Sequence, residues 1–320
     1  MKEITVLVTG VGAIIGYGVL RALQKDVPYV KRVGMDIFPD AVGQYFADEF
    51  IVAKRADSTD YIDFLKAVIE RYSIDLVFFG TEQEIFAVNS ARDALGDTFK
   101  KMVINTSELI ALSQDKYQLY LSLKKNKLPA IPSLIEGSFV EIAKNFGVPF
   151  LMKRRRSYAS KGLAIIEDEA DYIYHKNKAG VDFMVQPLIG NTSNEYTVGV
   201  FGFGDGTSTK PLQFIRQLSG EGATSKAMIV NIEALEKTVN KLVEIYKPLG
   251  PTNFQFRFAN EQYMLLEINP RISSSTSIRA AFGFNEALCC LEYFVYGKKP
   301  EVNAVSNGRA VRYIEDWIVK

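Results

Sequence analysis

Glu267, Asn269 and Arg271 occupy alternate positions in the stretch YMLLEINPRIS, residues 263–273. Side chains alternate across a strand, so these three share one face while Leu266 and Ile268 take the other. The preceding stretch TNFQFRF alternates in the same way, with Asn253, Gln255 and Arg257 opposite Phe254, Phe256 and Phe258. If the two segments pair as a hairpin with their polar faces together, Gln255 comes near Glu267 and Asn269, giving one carboxylate and two amide oxygens. Hard oxygen donors of this kind suit Mg²⁺, a cation that keeps several waters and is usually completed by substrate phosphates. Arg271 would then stabilise charge on a transferring phosphoryl group. An exposed strand face can be equally polar, but it is not usually followed at once by Pro270 and the serines Ser273 to Ser275.

A second chemical cluster is KRRRSYASKG, which sets Lys153, Arg154, Arg155, Arg156 and Lys161 around a loop of small polar residues ending at Gly162. Backbone amides, hydroxyls and cations together suit a polyphosphate; a solvated turn or a weak nucleic-acid contact uses the same residues. Apolar runs on both sides, VPFLM and LAII, hold the loop at a sheet edge. A third is the glycine turn TGVGAIIG, with Gly10, Gly12 and Gly16, and Asp36 at the end of the next strand. This could bind a dinucleotide, but Ile15 stands where the third glycine of that pattern belongs, and tight helix-on-sheet packing explains the glycines equally well.

The elements that must position these groups follow from periodicity. ITVLVTG, a glycine turn into VGAIIGYGVLRALQK, and VKRVGMDI give a β-α-β order, and hence an α/β, doubly wound parallel sheet. DSTDYIDFLKAVIERYS predicts a helix, IDLVFFGTE another strand and KMVINTS one more, closing a first lobe at about residue 110. SELIALSQDKYQLYLSLKKNKL predicts one helix ending at Leu128-Pro129. Strands follow over VPFLM, LAII, DFMVQPLI and EYTVGVFGFG. A mixture of strands and helices is expected through PLQFIRQLSGEGATSKAMIV, then the amphipathic helix EALEKTVNKLVEIY and the hairpin carrying the polar face.

The totals set limits. In 320 residues there are 38 Lys plus Arg and 37 Asp plus Glu, so no global field draws the chain to nucleic acid or anionic lipid. Its 48% hydrophobic residues come in short runs, never the length of a membrane span. Glu3 and four early glycines argue against a secretory signal, so the expectation is a soluble, cytoplasmic protein. Cys289 and Cys290 are adjacent, which favours neither a disulfide nor a zinc site; they read as core. His175 is the sole histidine and reads as a surface residue, which sets aside a His-based metal cluster and a serine-hydrolase triad.

Taken in order, QDKY, FLMKRRRSYASKGL, MVQPLIGNTSNEYTV and TNFQFRFANEQYMLLEINPRISSS resemble the ATP-grasp superfamily, nearest to single-module relatives of the carbamoyl-phosphate synthase large subunit. The resemblance implies an ATP-grasp fold with an N-terminal Rossmann-like pre-ATP-grasp domain over 1–110, a small subdomain over 111–184 and a large subdomain with the metal site over 185–320. It implies ATP and Mg²⁺, with Mn²⁺ as a stand-in, and Gln255, Glu267 and Asn269 as ligands. Arg271 and Lys153 resemble the catalytic cations, Arg271 near the γ-phosphate and Lys153 by the α-phosphate. Lys116 resembles a second phosphate cation. Ser160, Lys161 and Gly162 resemble the phosphate-covering loop, Gln186, Pro187, Leu188 and Ile189 the adenine hinge, and Glu195 the ribose-binding glutamate. Arg154, Ser157 and Ala159 depart from the proline and glycines of close relatives, and Pro187 from their frequent glutamate, but no departure removes a metal ligand.

The implied chemistry is an ATP-dependent carboxylate ligase: the carboxylate attacks the γ-phosphate, and an amine or similar nucleophile captures the acyl phosphate. Ligands collect at strand ends of open α/β sheets, which nominates Thr81, Glu82, Arg216, Ser274 and Arg279 for the substrate. Glu82 could instead serve a helix N-terminus, Ser273 to Ser275 cap a helix, and Arg279 sit on a helix surface. The implied partners are small-molecule carboxylate and amine substrates, without nucleic acid or membrane; a homodimer is compatible with this. Alternatives are a carbamoyl-phosphate synthase-type subunit needing a partner chain, an NAD(P)-dependent reductase using Gly10, Gly12 and Asp36, and a nucleotide sensor without catalysis.

Overall fold

The structure is a computed structural model describing residues 4–156, 162–191, 195–220 and 222–318. In chain order its elements are β1 (Thr5–Thr9), α1 (Ile14–Asp26), β2 (Lys31–Asp36), β3 (Glu49–Val52), α2 (Tyr61–Arg71), β4 (Leu76–Phe78), α3 (Glu82–Ser90) and α4 (Arg92–Leu95). Next come α5 (Ser107–Gln114), α6 (Lys116–Lys125), α7 (Phe139–Phe146), β5 (Phe150–Arg154), β6 (Ala164–Ile166), α8 (Glu169–Ala179) and β7 (Phe183–Pro187). The chain continues through β8 (Glu195–Phe203), β9 (Leu212–Leu218), β10 (Thr224–Val230), α9 (Glu233–Tyr246), β11 (Leu249–Ala259), β12 (Gln262–Asn269), α10 (Thr276–Ala281), α11 (Glu286–Cys290) and β13 (Arg309–Val311).

The run ITVLVTG at the start becomes β1, buried along its whole length in the interior of a parallel sheet ordered β3-β2-β1-β4. The expected strand in KMVINTS reduces to one parallel bridge, Val77 with Met102. Gly10 turns the chain at φ +58°, and a Cβ on Gly16 would lie 2.3 Å from the Gly10 carbonyl oxygen, so packing of α1 on the turn demands that glycine. Asp36 closes the same turn, its Oδ2 accepting from the Gly12 amide (2.7 Å) and its Oδ1 from the Phe38 amide (3.0 Å). The carboxylate on which the reductase alternative relied is therefore committed to backbone.

Three strands, β6-β5-β7, form a small antiparallel sheet whose core is Ile142, Phe150, Met152, Ile166, Tyr172, Phe183 and Val185. The expected boundary at 184/185 falls inside β7. The third sheet is antiparallel, β12-β11-β8-β9-β10-β13. The mixed pattern expected over 211–230 resolves as a plain hairpin, β9 with β10. The single helix expected over 107–128 breaks at Asp115, whose extended backbone (φ −115°, ψ 102°) ends α5 and caps α6. One hydrophobic core runs from Val6, Val8 and Leu20 of the first lobe through Phe201, Phe214 and Ile278 to Phe284 and Cys290, so the first and third sheets share an interior. Cys289 and Cys290 are buried free thiols, and His175 lies half-buried on α8 beside Tyr174. Among the described residues no helix is long and apolar enough to cross a membrane.

Candidate active site

A cleft of about 780 Å³ opens between the strand ends of the first lobe and the polar face of the β11–β12 hairpin. The hairpin register sets Gln255 opposite Glu267 and Asn253 opposite Asn269, as the coinciding polar faces require. A bulge then shifts the pairing so that Phe256 faces Leu265. As a result Leu265 and Ile268 enter the core, where simple alternation had expected Leu266 and Ile268.

Glu267 Oε1 accepts from Gln255 Nε2 (2.6 Å) and Asn269 Nδ2 (3.0 Å). Arginine can only donate, which fixes both amides: Gln255 Oε1 accepts from Arg216 Nη2 (2.6 Å) and Asn269 Oδ1 from Arg271 Nη2 (2.9 Å). The three expected ligands thus stand together, with an arginine on each amide oxygen. One carboxylate with two amide oxygens, each keeping a lone pair beyond its arginine bond, is a hard-oxygen donor set of the kind Mg²⁺ takes. Among the described residues there is no group of three or more His, Cys, Asp or Glu that could hold a metal ion, so any cation here would depend on the amide oxygens beside Glu267.

Lys116 and Lys153 supply positive charge to the same space. Burial lowers the Lys153 ammonium to a pKa of about 8, the charge of Lys116 pushes it the same way, and Glu267 opposes both. Lys116 is also lowered, again mainly by burial, with Glu267 and Glu82 acting against it. Lys116 opens α6, its amide donating to the Arg155 carbonyl (3.1 Å). Asp115 just before it accepts from the Tyr117 and Gln118 amides of α6 and from Arg155 Nη2 (2.6 Å) and Arg156 Nη2 (3.3 Å). Burial works to raise the Asp115 pKa, but the Arg155 and backbone bonds outweigh it and hold the carboxylate below its ordinary range. This anchor was missed from the sequence, although an aspartate directly before a helix was its signal. Ser160 and Lys161 lie outside the described residues; Gly162 follows at φ +76°.

The other expected residues divide. Glu195 is buried, its Oε1 accepting from Arg216 Nε and Nη2 (3.2 and 2.9 Å) and its Oε2 from Arg257 Nη2 (3.3 Å). Arg257 also donates to the Ile189 carbonyl (3.2 Å), so Arg257, paired with Glu195, ties the 186–189 segment to the third sheet. Gln186 is buried with Nε2 on Ser133 Oγ (2.8 Å), while Pro187 is half-buried and Leu188 exposed. Arg216 lines the cleft from below, beneath Gln255.

On the first-lobe side, Thr81 caps α3 and its hydroxyl donates to Glu84 Oε2 (2.7 Å). Glu84 is a buried carboxylate that also accepts from Thr9 Oγ1 (2.6 Å) and Tyr61 Oη (3.0 Å), and burial pushes its pKa up against those bonds. Glu82 pairs with Arg271. Ser274 lines the cleft, its carbonyl accepting from Arg312 (2.9 Å). Arg279 is the correction: it is 0% exposed, neither a substrate clamp nor a helix-surface charge. It lies under the hairpin, donating to Glu286 (3.0 Å), Ser273 (3.0 Å) and Asn253 (2.5 Å). Gly199 makes room for it, since a Cβ there would lie 2.6 Å from the guanidinium carbon.

A family profile described as "ATP-grasp in the biosynthetic pathway with Ter operon" matches residues 180–317. The carbamoyl phosphate synthase large chain of Thermotoga sp. strain RQ2 is 24% identical over 245 residues, covering 67% of this chain and 22% of that protein. The chain spans about a fifth of the length of the curated relatives it matches. Staphylococcus aureus N5-carboxyaminoimidazole synthetase complexed with ADP superposes with a TM-score of 0.75 at 20% identity, covering 98% of this chain and 83% of that one. The biotin carboxylase domain of Hydrogenobacter thermophilus 2-oxoglutarate carboxylase, in complex with MgADP, ADP and bicarbonate, superposes at 0.74 with 15% identity, covering 95% and 73%.

Proposed function

We propose that this chain is an ATP-grasp enzyme, an ATP-dependent, ADP-forming ligase acting on a small-molecule carboxylate and an amine or similar nucleophile. The observation that carries this reading is one cleft lined by Lys116, Gln255, Glu267, Asn269 and Arg271, in which Gln255 and Asn269 both donate to Glu267 and Arg271 donates to Asn269. ATP would lie between the small sheet and the third sheet, with Lys116 and Lys153 on its phosphates and residues 186–189 beside the adenine. Glu267, with Gln255 and Asn269, would hold Mg²⁺, which supplies charge neutralisation on the transferring phosphates. The acceptor would enter from the first lobe, past Thr81, Glu82 and Ser274.

In this reading the carboxylate oxygen attacks the γ-phosphorus and the bond to the ADP oxygen breaks, giving an acyl phosphate. The nucleophile then attacks the acyl carbon, and inorganic phosphate leaves. Two anions must meet, so the work of the protein is positioning and neutralising charge. Arg271 would face the transferring group, and Lys153 the phosphates behind it.

The test is ADP release across a panel of carboxylate and amine pairs, with the wild-type chain and Glu267→Gln, an isosteric change that removes the charge a cation needs. Substrate-stimulated release by the wild type and a fall of at least about a hundredfold in the variant are expected, the scale typical of removing an electrostatic stabiliser. Equal turnover by both overturns the metal assignment.

A further inference from the structure

Arg271 faces the cleft from the hairpin, and the first lobe already supplies it with an anion. Its Nε and Nη2 both donate to Glu82 Oε1, at 3.1 and 2.5 Å. The same Nη2 donates to Asn269 Oδ1 (2.9 Å), and Nη1 to the Ile272 carbonyl (3.0 Å). A guanidinium has five N–H donors, so these four contacts leave one. The edge formed by Nε and Nη2, one of the two on which arginine takes a carboxylate or phosphate in fork geometry, is occupied by Glu82. Glu82 is 189 residues away in sequence, in the first turn of α3, and its side chain lines the same cleft.

We propose that Glu82 is an internal rival for the anion that Arg271 serves, so that the first lobe sets how tightly an anion must bind before the hairpin admits it. A single carboxylate entering the cleft would exchange like for like with Glu82 and gain little. A phosphoryl group carries more charge and three acceptor oxygens, and it displaces Glu82 at a net gain. Glu82 therefore sets a threshold that a phosphoryl group clears and a single carboxylate does not, without any contact to the rest of the ligand. Thr81 and the buried Glu84 hold the start of α3 in place, which fixes where the rival carboxylate stands. This inference rests on the proposed phosphoryl role of Arg271 and adds to it a reason for Glu82.

The experiment titrates inorganic phosphate and acetate calorimetrically into the wild type and Glu82→Gln, with MgADP titrated separately into the wild type. The variant is expected to bind phosphate about fivefold tighter, the scale of removing a partly exposed ion-pair competitor, and acetate tighter by a similar factor, since either anion displaces the same carboxylate. Glu82→Asp, which keeps the charge but shortens the reach, should fall between the two. Phosphate binding that is equal or weaker in Glu82→Gln, or undetectable in both proteins, overturns the proposal. Failure of MgADP to bind the wild type, alongside tighter phosphate binding by the variant, would overturn the nucleotide reading and leave the role of Glu82 standing.

Discussion

Lys153 shows how an ordinary side chain becomes specialised by its surroundings. Burial and the neighbouring Lys116 bring its pKa to about 8, so it is charged at neutral pH but close to losing its proton. The sign of the pH dependence follows from which state holds the proton. A nucleotide binds the protonated form, so affinity for MgADP should be constant below pH 8 and fall above it, by up to tenfold per pH unit while the free protein titrates. Lys153→Met should bind more weakly and lose this dependence. The same shift opposes folding below pH 8, where a charge is buried, and the penalty fades between pH 8 and the ordinary lysine value because the unfolded chain then holds more protons. A wild-type affinity that stays flat from pH 7 to pH 9.5 would separate Lys153 from the phosphates.

At the scale of the element, the break between α5 and α6 is where a local sequence signal and the site meet. Asp115 caps α6 and holds Arg155 and Arg156 at the mouth of the 155–162 segment, with Lys116 presented by the first turn behind it. Asp115→Ala should cost about 1–2 kcal/mol in stability for the lost cap and raise KM for ATP. Asp115→Asn keeps a good cap but loses the charge, so its urea midpoint should stay near wild type while KM still rises; parallel losses in both quantities would reduce Asp115 to a structural cap. The elements legible from sequence were those whose period was undisturbed, such as β1, α2, α9 and the β11–β12 pairing. The break at Asp115 was hidden because the apolar pattern resumes beyond the polar run SQDK, with Leu119 two helical turns after Leu112, as in one unbroken helix. The bulge in β12 was hidden because Leu265 and Leu266 are chemically the same, so only pairing decides which one is buried. Arg279 was misplaced because its salt-bridge partner Glu286 and the gap at Gly199 are tertiary facts that a charge on a short helix does not announce.

Across the whole molecule, the three sheets are not equally held. The first and third share one interior, from Val6 and Leu20 to Phe214, Phe284 and Cys290, and Arg271–Glu82 adds a polar tie over it. Near the C-terminal end, Trp317 stacks on Tyr45 of the first lobe at 4.9 Å, a further link between the two. The small sheet has a core of its own built from Ile142, Phe150, Met152, Ile166, Tyr172, Phe183 and Val185. Its main connections to the rest are the strand ends leading into it, the Asp115–Arg155 pair and the Arg257–Ile189 contact. Local opening free energies track buried apolar contacts, so this sheet should be the first part of the chain to open. Hydrogen exchange should therefore find the amides of β5, β6 and β7 less protected than those of β1, β8 and β11 in the free protein. Because the proposed nucleotide site lies between the small sheet and the third, MgADP should slow exchange most in β5, β7 and the start of α6, and little in β1. Uniform protection in the free chain would show that the small sheet is held as firmly as the rest, and a nucleotide effect centred on the glycine turn at Gly10 would place the binding site in the first lobe instead.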